Sequence, residues 1–147
     1  MNLSENFTLE EMTASQTALR RGLNNTPSDA VRGVLKRTAE QMEQVRSLLG
    51  VPIYVSSAYR SGSVNRAIGG SITSQHCKGE AVDFTAPSFG TPREVARAIA
   101  SSVIEFDQLI FEGAWVHISF TDRRPMRKQK LTATFSGKGT TYGVGIA

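Results

Sequence analysis

Two histidines and one aspartate stand out in this 147-residue chain because one metal ion could bind all three. His76 and His117 are the only histidines, and Asp83 lies seven positions after the first of them. Seven extended residues span about 23 Å, so the chain must fold back if His76 and Asp83 are to share an ion. The Lys78-Gly79 pair predicts that turn, because glycine accepts the positive φ of a tight turn. His76 would then lie on the strand before the turn and Asp83 on the strand after it.

The second histidine lies in a segment that alternates like a β-strand, with Trp115, His117 and Ser119 on one face. Two imidazoles and one carboxylate suit zinc with a fourth position open to water, which is typical of catalytic rather than structural sites. On spacing alone a second interpretation stays open, in which His76 and Asp83 belong to an ordinary loop and bind no ion.

The residues around these ligands resemble the zinc D-Ala-D-Ala carboxypeptidase family, which also includes D-Ala-D-Ala dipeptidases and the L-alanyl-D-glutamate endopeptidases of phage lysis systems. The pattern Ser-x-His-x6-Asp from Ser74 to Asp83 is similar to the core motif of that family. The segment SAYRS at 57–61 resembles its upstream Tyr-Arg segment, and WVH at 115–117 resembles its third-ligand strand. FTLEEM at 7–12 and NNTP at 24–27 resemble a phage-associated branch, so the resemblance runs from about Phe7 to Phe120.

The resemblance implies one zinc ion held by His76, Asp83 and His117. It favours Arg60 as the group that binds the carbonyl oxygen as negative charge develops, against a structural arginine paired with a nearby acid. Ser74 and Gln75 would hydrogen-bond the substrate or support a zinc ligand. Trp115 would either wall the substrate cleft or pack in the core.

The general base is where the chain departs from the family. Better-known members have a Glu or Asp three positions before the last histidine, and here that position is Ala114. Glu112 lies five positions before His117, and a tight or bulged turn at Gly113-Ala114 would let its carboxylate reach a water in the site. The alternative is that Glu112 is a surface carboxylate of the turn.

The resemblance implies a zinc metallopeptidase that cleaves the peptide stem of peptidoglycan, as a murein endopeptidase or a D-Ala-D-Ala carboxypeptidase of bacteriophage endolysin type. The alternative is an inactive peptidase-like module that binds the cell wall or serves in a virion. The start of the chain lacks the pattern of a signal peptide, so we expect synthesis in the cytoplasm and action on the cell wall, in the host periplasm, or from a virion. We expect a monomer.

Composition limits the other classes. A hydrophobic fraction of 39% and a charged fraction of 20% are ordinary for a globular protein, and no apolar run approaches the roughly 20 residues of a membrane span. The net charge is +4, and much of the excess lies in the run RRPMRKQK at 123–130, either a solvated loop or a site for a polyanion. No nucleic-acid-binding motif accompanies this charge, so no nucleic acid partner is expected. The single Cys77 excludes an intramolecular disulfide, and we interpret it as a small buried hydrophobe, with a zinc ligand as the alternative.

The elements that would position these residues predict one α+β domain over residues 1–147, a small, largely antiparallel sheet with two or three packed helices and zinc on the sheet face. A helix from Thr26-Pro27 to Gly50, with Thr26 as N-cap, and another from Thr91-Pro92 to about Ile104 show helical spacing. Strands are predicted at 51–55, after Gly79, and as a hairpin of 106–111 and 115–120 around Glu112-Gly113-Ala114. The region 131–147 would add one strand, with a mobile tail from about residue 137.

Overall fold

The computed structural model describes all 147 residues, Met1–Ala147. Six strands form one sheet, and five α-helices accompany it. The helices are α1 (Leu9–Thr13), α2 (Gln16–Arg21), α3 (Asp29–Leu49), α4 (Gly62–Ala67) and α5 (Pro92–Ala100), and a 3-10 turn spans Gln75–Lys78. The strands are β1 (Tyr54–Ser57), β2 (Ala81–Thr85), β3 (Gln108–Phe111), β4 (Val116–Ser119), β5 (Gln129–Ser136) and β6 (Gly139–Val144). The predicted α+β class with a largely antiparallel sheet is confirmed.

The order across the sheet is β1-β2-β4-β3-β5-β6. All neighbours pair antiparallel except β3 and β5, which run parallel. The register sets Asp83 of β2 directly opposite His117 of β4, and Ile110 of β3 opposite the same histidine. Two of the three predicted ligands therefore lie side by side on neighbouring central strands.

The two faces of the sheet carry different residues. One set of strand side chains, which alternates with the ligands, joins the main hydrophobic core together with buried residues of α3 and α5; from the sheet it includes Val82, Phe84, Leu109, Phe111, Val116 and Ile118. The other face carries Asp83 and His117, and a small separate cluster of Ile110, Leu131 and Ala133. One face thus supplies stability through apolar burial, and the opposite face is left for polar side chains.

Helix α3 begins later than predicted. Its N-cap is Ser28, whose hydroxyl accepts a hydrogen bond from the backbone N–H of Val31, so Thr26 and Pro27 precede the helix instead of opening it. Serine is a somewhat stronger N-cap than threonine, and Ser28 follows Thr26 by two positions. The helix ends as predicted at Gly50, whose φ of 68° is left-handed.

Other boundaries also differ from the predictions. The first strand spans Tyr54–Ser57 instead of 51–55, and α5 ends at Ala100, four residues before Ile104. Three short helices, α1, α2 and α4, accompany the two long ones. No helix is both long enough and apolar enough to span a membrane.

The region after β4 forms more structure than the single strand predicted for it. β5 pairs in parallel with β3, and β6 folds back on β5 through the turn at Gly137 and Lys138. This β5–β6 hairpin extends the sheet on the β3 side. Mobility of the tail from residue 137 stays a prediction.

Candidate active site

His76, Asp83 and His117 form a compact group whose ligand atoms all lie within 4.8 Å of one another. Asp83 Oδ1 lies 2.9 Å from His117 Nδ1 and 3.3 Å from His76 Nε2. The two imidazole rings meet edge to face, with centroids 5.2 Å apart. The predicted ligands are therefore brought together by the fold.

His76 reaches this group from the 3-10 turn, and the prediction that it lies on a strand is wrong. Ser74 caps the turn by accepting a hydrogen bond from the backbone N–H of His76, and Gly79 ends it with a φ of 76°. The prediction of a reversal at Gly79 is confirmed, because that residue has the left-handed conformation that glycine accepts readily. Helix α3 holds the turn in place, since Thr38 Oγ1 donates to the carbonyl of Gly79 at 2.6 Å.

The orientation of His76 is set by a backbone carbonyl. Its Nδ1 lies 2.6 Å from the oxygen of Ala58, a contact that requires a proton on Nδ1. A neutral His76 then presents the lone pair of Nε2 toward the carboxylate of Asp83. Two electron-rich atoms in this position are stabilised only by a proton or a cation between them.

The donor set fits a divalent metal. Two imidazole nitrogens and one carboxylate oxygen are ligands that zinc accepts, and a carbonyl bound to the far nitrogen is the usual support of a metal-binding histidine. The side chain of His76 is buried, whereas those of Asp83 and His117 are 14% and 12% exposed, so the group opens on one side. Burial alone would raise the pKa of Asp83, but when the imidazole nitrogens that face it carry protons, hydrogen bonds from His117 and His76 outweigh burial and hold that pKa well below its usual range.

A cleft of about 810 Å³ lies over this group. All eight site residues predicted from the sequence line it: Arg60, Ser74, Gln75, His76, Asp83, Glu112, Trp115 and His117. Cys77 is half-buried, lies outside the metal-binding group and does not line the cleft. The fold therefore places all of the candidate site residues around one cleft.

Glu112 enters the cleft from the β3–β4 turn, where the N–H of Glu112 donates to the carbonyl of Trp115 and Gly113 has a φ of 82°. Ala114 is exposed on that turn. Burial raises the pKa of Glu112, and the nearby negative charge of Asp83 acts in the same direction. A carboxylate with a raised pKa in a cleft is a candidate general base.

Arg60 lies across from these groups on the segment after β1. Its Nη2 donates to Ser74 Oγ at 3.3 Å, and its Nε is buried without a hydrogen-bond partner. Arg60 forms no ion pair within 4.0 Å, and its role stays a prediction. Trp115 Nε1 is also buried without a partner in ordinary hydrogen-bond geometry. Arg60 and Trp115 both line the cleft, and each keeps a buried donor nitrogen without a partner in the protein.

Several contributors were missed from the sequence. Asn25 fixes the segment of Arg60, since its Nδ2 donates to the carbonyl of Tyr59 and its Oδ1 accepts from the N–H of Ser61. Tyr142 of β6 also lines the cleft, and burial raises its pKa, with the charges of Glu112 and Asp83 acting in the same direction. Asn25 lay in a segment already noted for its resemblance, whereas nothing local in the sequence marks Tyr142.

Glu80 and Asp107, the other acids near the site, are committed elsewhere. Glu80 accepts from Arg123 and from Gln75, and Asp107 accepts from Arg124 and Arg127. Both carboxylates are buried, with 3% and 0% of their residue surface exposed. Neither is free to accept a proton from a water in the cleft, so Glu112 is the candidate base.

Comparison with known proteins gives one family. A family model described as Peptidase M15 matches residues 5–119, close to the range over which the resemblance was seen in the sequence. No curated protein matches the chain closely enough to count as a relative. The matched range contains every ligand of the metal-binding group, together with Arg60 and Glu112.

Proposed function

Because this chain belongs to the Peptidase M15 family, we propose that it is a zinc-dependent peptidase that hydrolyses the peptide stem of bacterial peptidoglycan. The observation that carries the proposal is the His76, Asp83 and His117 group at the wall of an open cleft. Structural zinc sites are closed by four protein ligands, whereas a three-ligand group beside a cleft leaves room for water and substrate.

Zinc, when bound, polarises the scissile carbonyl and lowers the pKa of an attacking water to about 7. The chain supplies the rest. His76 is fixed by the Ala58 carbonyl and His117 by β4, so the ligand set is held before any ion arrives. Little reorganisation is then needed on binding.

Glu112 takes the proton of the attacking water and later returns it to the leaving amine. Its position in the cleft and its raised pKa both suit a group that must gain and lose a proton during one turnover. The positive φ of Gly113 lets the turn aim Glu112 inward although Ala114 occupies the position that carries the acid in better-known relatives.

Arg60 stabilises the oxygen of the carbonyl under attack. Arg60 lines the cleft, its Nε has no partner in the protein, and the Ser74 hydroxyl holds the guanidinium in place. A preorganised donor of this kind stabilises the transition state more than the ground state. Trp115 Nε1 offers a second donor for a peptide oxygen of the substrate.

The biological setting we propose is a phage or prophage endolysin-type enzyme that acts on the cell wall. A compact peptidase with a basic loop fits an anionic wall polymer as substrate. Whether the bond is L-Ala-D-Glu or one that involves D-Ala is the outcome to be measured.

The second candidate is an inactive peptidase-like module that binds the wall or serves in a virion. Ala114 favours it, because an exposed alanine at the usual position of the base removes that carboxylate. The two candidates share the metal-binding group and differ in whether Glu112 performs the proton transfer.

Digestion of purified peptidoglycan with the zinc-loaded protein separates the two. We expect new amino termini in the released fragments, identified by mass analysis, and no release by the His117→Ala variant. If the zinc-loaded protein binds wall fragments but releases nothing from walls of different peptide chemistry, the binding module replaces the enzyme.

A further inference from the structure

Most of the basic run noted in the sequence, residues 123–128, forms a loop between β4 and β5, and its three arginines line the cleft. We define Arg123, Arg124 and Arg127 as the arginine cluster, and all three line the cleft that holds the metal-binding group. Their side chains remain 46%, 38% and 44% exposed. They are partly held by protein groups and partly open to a ligand.

Two buried carboxylates anchor the cluster. Arg123 binds Glu80 with Nε and Nη2 at 2.9 and 2.8 Å. Asp107 accepts from Arg124 Nη1 and Nη2 at 2.6 and 3.0 Å, and from Arg127 Nε and Nη2 at 3.1 and 2.8 Å. Bidentate pairs of this kind fix the plane of a guanidinium. The loop is therefore not a freely solvated segment at these positions.

The charges do not balance at Asp107. Arg123 and Glu80 form a neutral pair, but two guanidinium groups share the single carboxylate of Asp107, which leaves one positive charge uncompensated. Each arginine also keeps a nitrogen that donates to no protein group: Nη1 of Arg123, Nε of Arg124 and Nη1 of Arg127. Lys78 lines the same cleft and forms no ion pair.

The anchors lie at one end of the central strands. Glu80 precedes β2 and Asp107 precedes β3, and both contact the end of β4, since Phe120 N donates to the Glu80 carbonyl and Asp107 N to the Ser119 carbonyl. Asp107 precedes Ile110 by three residues, or about 10 Å of strand, and Ile110 lies opposite His117. An extended peptide in the cleft covers the same distance with about three residues.

We propose that the arginine cluster is an anion subsite that binds a carboxylate of the substrate two to three residues from the scissile bond. The inference rests on the proposed function, and it narrows the substrate class to peptides that carry an acid at that distance. A guanidinium with a free N–H edge matches a carboxylate better than an ammonium does.

The test uses synthetic stem-type pentapeptides in which each carboxylate in turn is replaced by a primary amide. Binding is measured by calorimetry on zinc-loaded protein carrying Glu112→Gln, so that no peptide is consumed. We expect one amide replacement to weaken binding about 5- to 10-fold, as expected for loss of one charged hydrogen-bonded contact. Replacements elsewhere should have a smaller effect.

Arg124→Gln is the matched change in the protein. It removes the uncompensated charge and leaves Asp107 paired with Arg127, so the buried carboxylate keeps a partner and the fold is retained. It should weaken binding of the free-acid peptide about 5- to 10-fold and leave binding of the corresponding amide nearly unchanged, which is the coupling expected for a direct contact. Arg97→Gln, an exposed arginine of α5 without an ion pair, is the control for loss of one positive charge.

The proposal is overturned if no single amide replacement weakens binding, or if Arg124→Gln weakens the acid and amide peptides equally. It is also overturned if Arg97→Gln has the effect of Arg124→Gln, since the loss would then reflect net charge alone. Because binding is measured without cleavage, selective binding by a protein that releases nothing from peptidoglycan would retain the subsite and reject the hydrolase. Cleavage of peptidoglycan without selective binding of the free-acid peptide would retain the hydrolase and reject the subsite.

Discussion

At the scale of single residues, the chemistry-bearing side chains were predictable because their types are rare in this chain. Only two histidines are present, and the fold brings both to one carboxylate. What spacing did not show is the Nδ1 contact of His76 with Ala58, which fixes the ring. Ala58 contributes its backbone carbonyl, and a backbone group leaves no mark in the side-chain pattern.

The metal-binding group makes the first prediction. His76→Ala and His117→Ala should each lose most of the bound zinc, because two remaining ligands cannot hold the ion tightly. Zinc content of the purified proteins, measured by atomic emission, checks this. Cys77→Ser is the control and should retain full zinc, since Cys77 lies outside the group. Zinc loss in Cys77→Ser with retention in His117→Ala would refute the ligand set.

Arg60 gives the second prediction. Arg60→Lys should preserve the melting temperature and zinc content while turnover of peptidoglycan falls on the order of 10²-fold, the loss typical of one removed oxyanion donor. The ammonium group of lysine cannot reproduce the planar guanidinium, which donates to Ser74 through Nη2 and keeps a second donor at Nε. Unchanged turnover in a stable Arg60→Lys protein would make this arginine structural.

The third prediction concerns Glu112. Glu112→Gln keeps the size and polarity of the side chain but cannot accept a proton, so cleavage should fall about 10²- to 10⁴-fold while zinc and stability hold. Steady-state release of fragments from peptidoglycan gives the rate. Asp122→Asn, an exposed acid paired with Arg37 away from the cleft, is the control for loss of one negative charge. Wild-type cleavage by Glu112→Gln would exclude it as the base.

At the scale of elements, the two long helices and the β3–β4 hairpin were predictable from period and turn chemistry, whereas the turn that carries His76 was not assigned correctly. The predicted turn at Gly79 suggested a hairpin with one strand on each side. Only the segment after Gly79 forms a strand, because the segment before it is a 3-10 turn capped by the hydroxyl of Ser74. A local hydrogen bond to a serine hydroxyl competes with strand pairing, and four residues are too few for periodicity to distinguish a turn from a strand.

Gly79 gives a prediction for this element. An added Cβ would meet Leu35 Cγ and Val31 Cγ1 of α3 at 3.2 Å, in a residue whose φ is 76°. Gly79→Ala should therefore combine left-handed strain of about 1–2 kcal/mol with overpacking of about 1–3 kcal/mol. Gly22→Ala has a similar φ of 63° with no atom within 4 Å, so it reports the strain alone. Urea unfolding should show the larger loss at Gly79, and equal losses would mean that α3 does not press on the turn.

At the scale of the whole molecule, the α+β class was predictable, but the full sheet was not. The parallel pairing of β5 with β3 joins residues about 20 positions apart, and nothing local in the Thr- and Gly-rich sequence specifies its partner. The cleft therefore has one wall, with Leu131 and Tyr142, that pattern reasoning could not assign. Likewise, the arginine run could be identified as basic, while its anchors Glu80 and Asp107 are distant in sequence.

The pairing of Asp107 predicts how stability depends on pH. Burial alone would raise the pKa of Asp107, but hydrogen bonds from Arg124 and Arg127 hold that pKa well below its usual range. The folded state thus binds fewer protons than the unfolded state near the ordinary carboxyl pKa of about 3.9, so this stabilisation is present above that pH and is lost as pH falls through and below it. The free energy of unfolding should decline from about pH 5 downward.

Asp107→Asn tests the assignment. Urea unfolding at neutral pH and at about pH 4 should show a weaker pH dependence in the variant, with part retained because Glu80 also has a lowered pKa. Its loss of stability at neutral pH should stay below the 3–5 kcal/mol of a fully buried pair, since both arginines are partly exposed. Parallel pH curves for the two proteins would place the acid sensitivity elsewhere.

The position of the arginine cluster in the chain has an evolutionary consequence. The ion ligands and their supports lie within residues 5–119, whereas the arginines and the β5–β6 hairpin follow that range. If the arginine cluster binds substrate as proposed, mutations that insert, delete or recharge residues after β4 would alter which peptides the cleft accepts while the metal ligands stay intact. A change in substrate preference, from one wall chemistry to another, would then begin in the segment after β4.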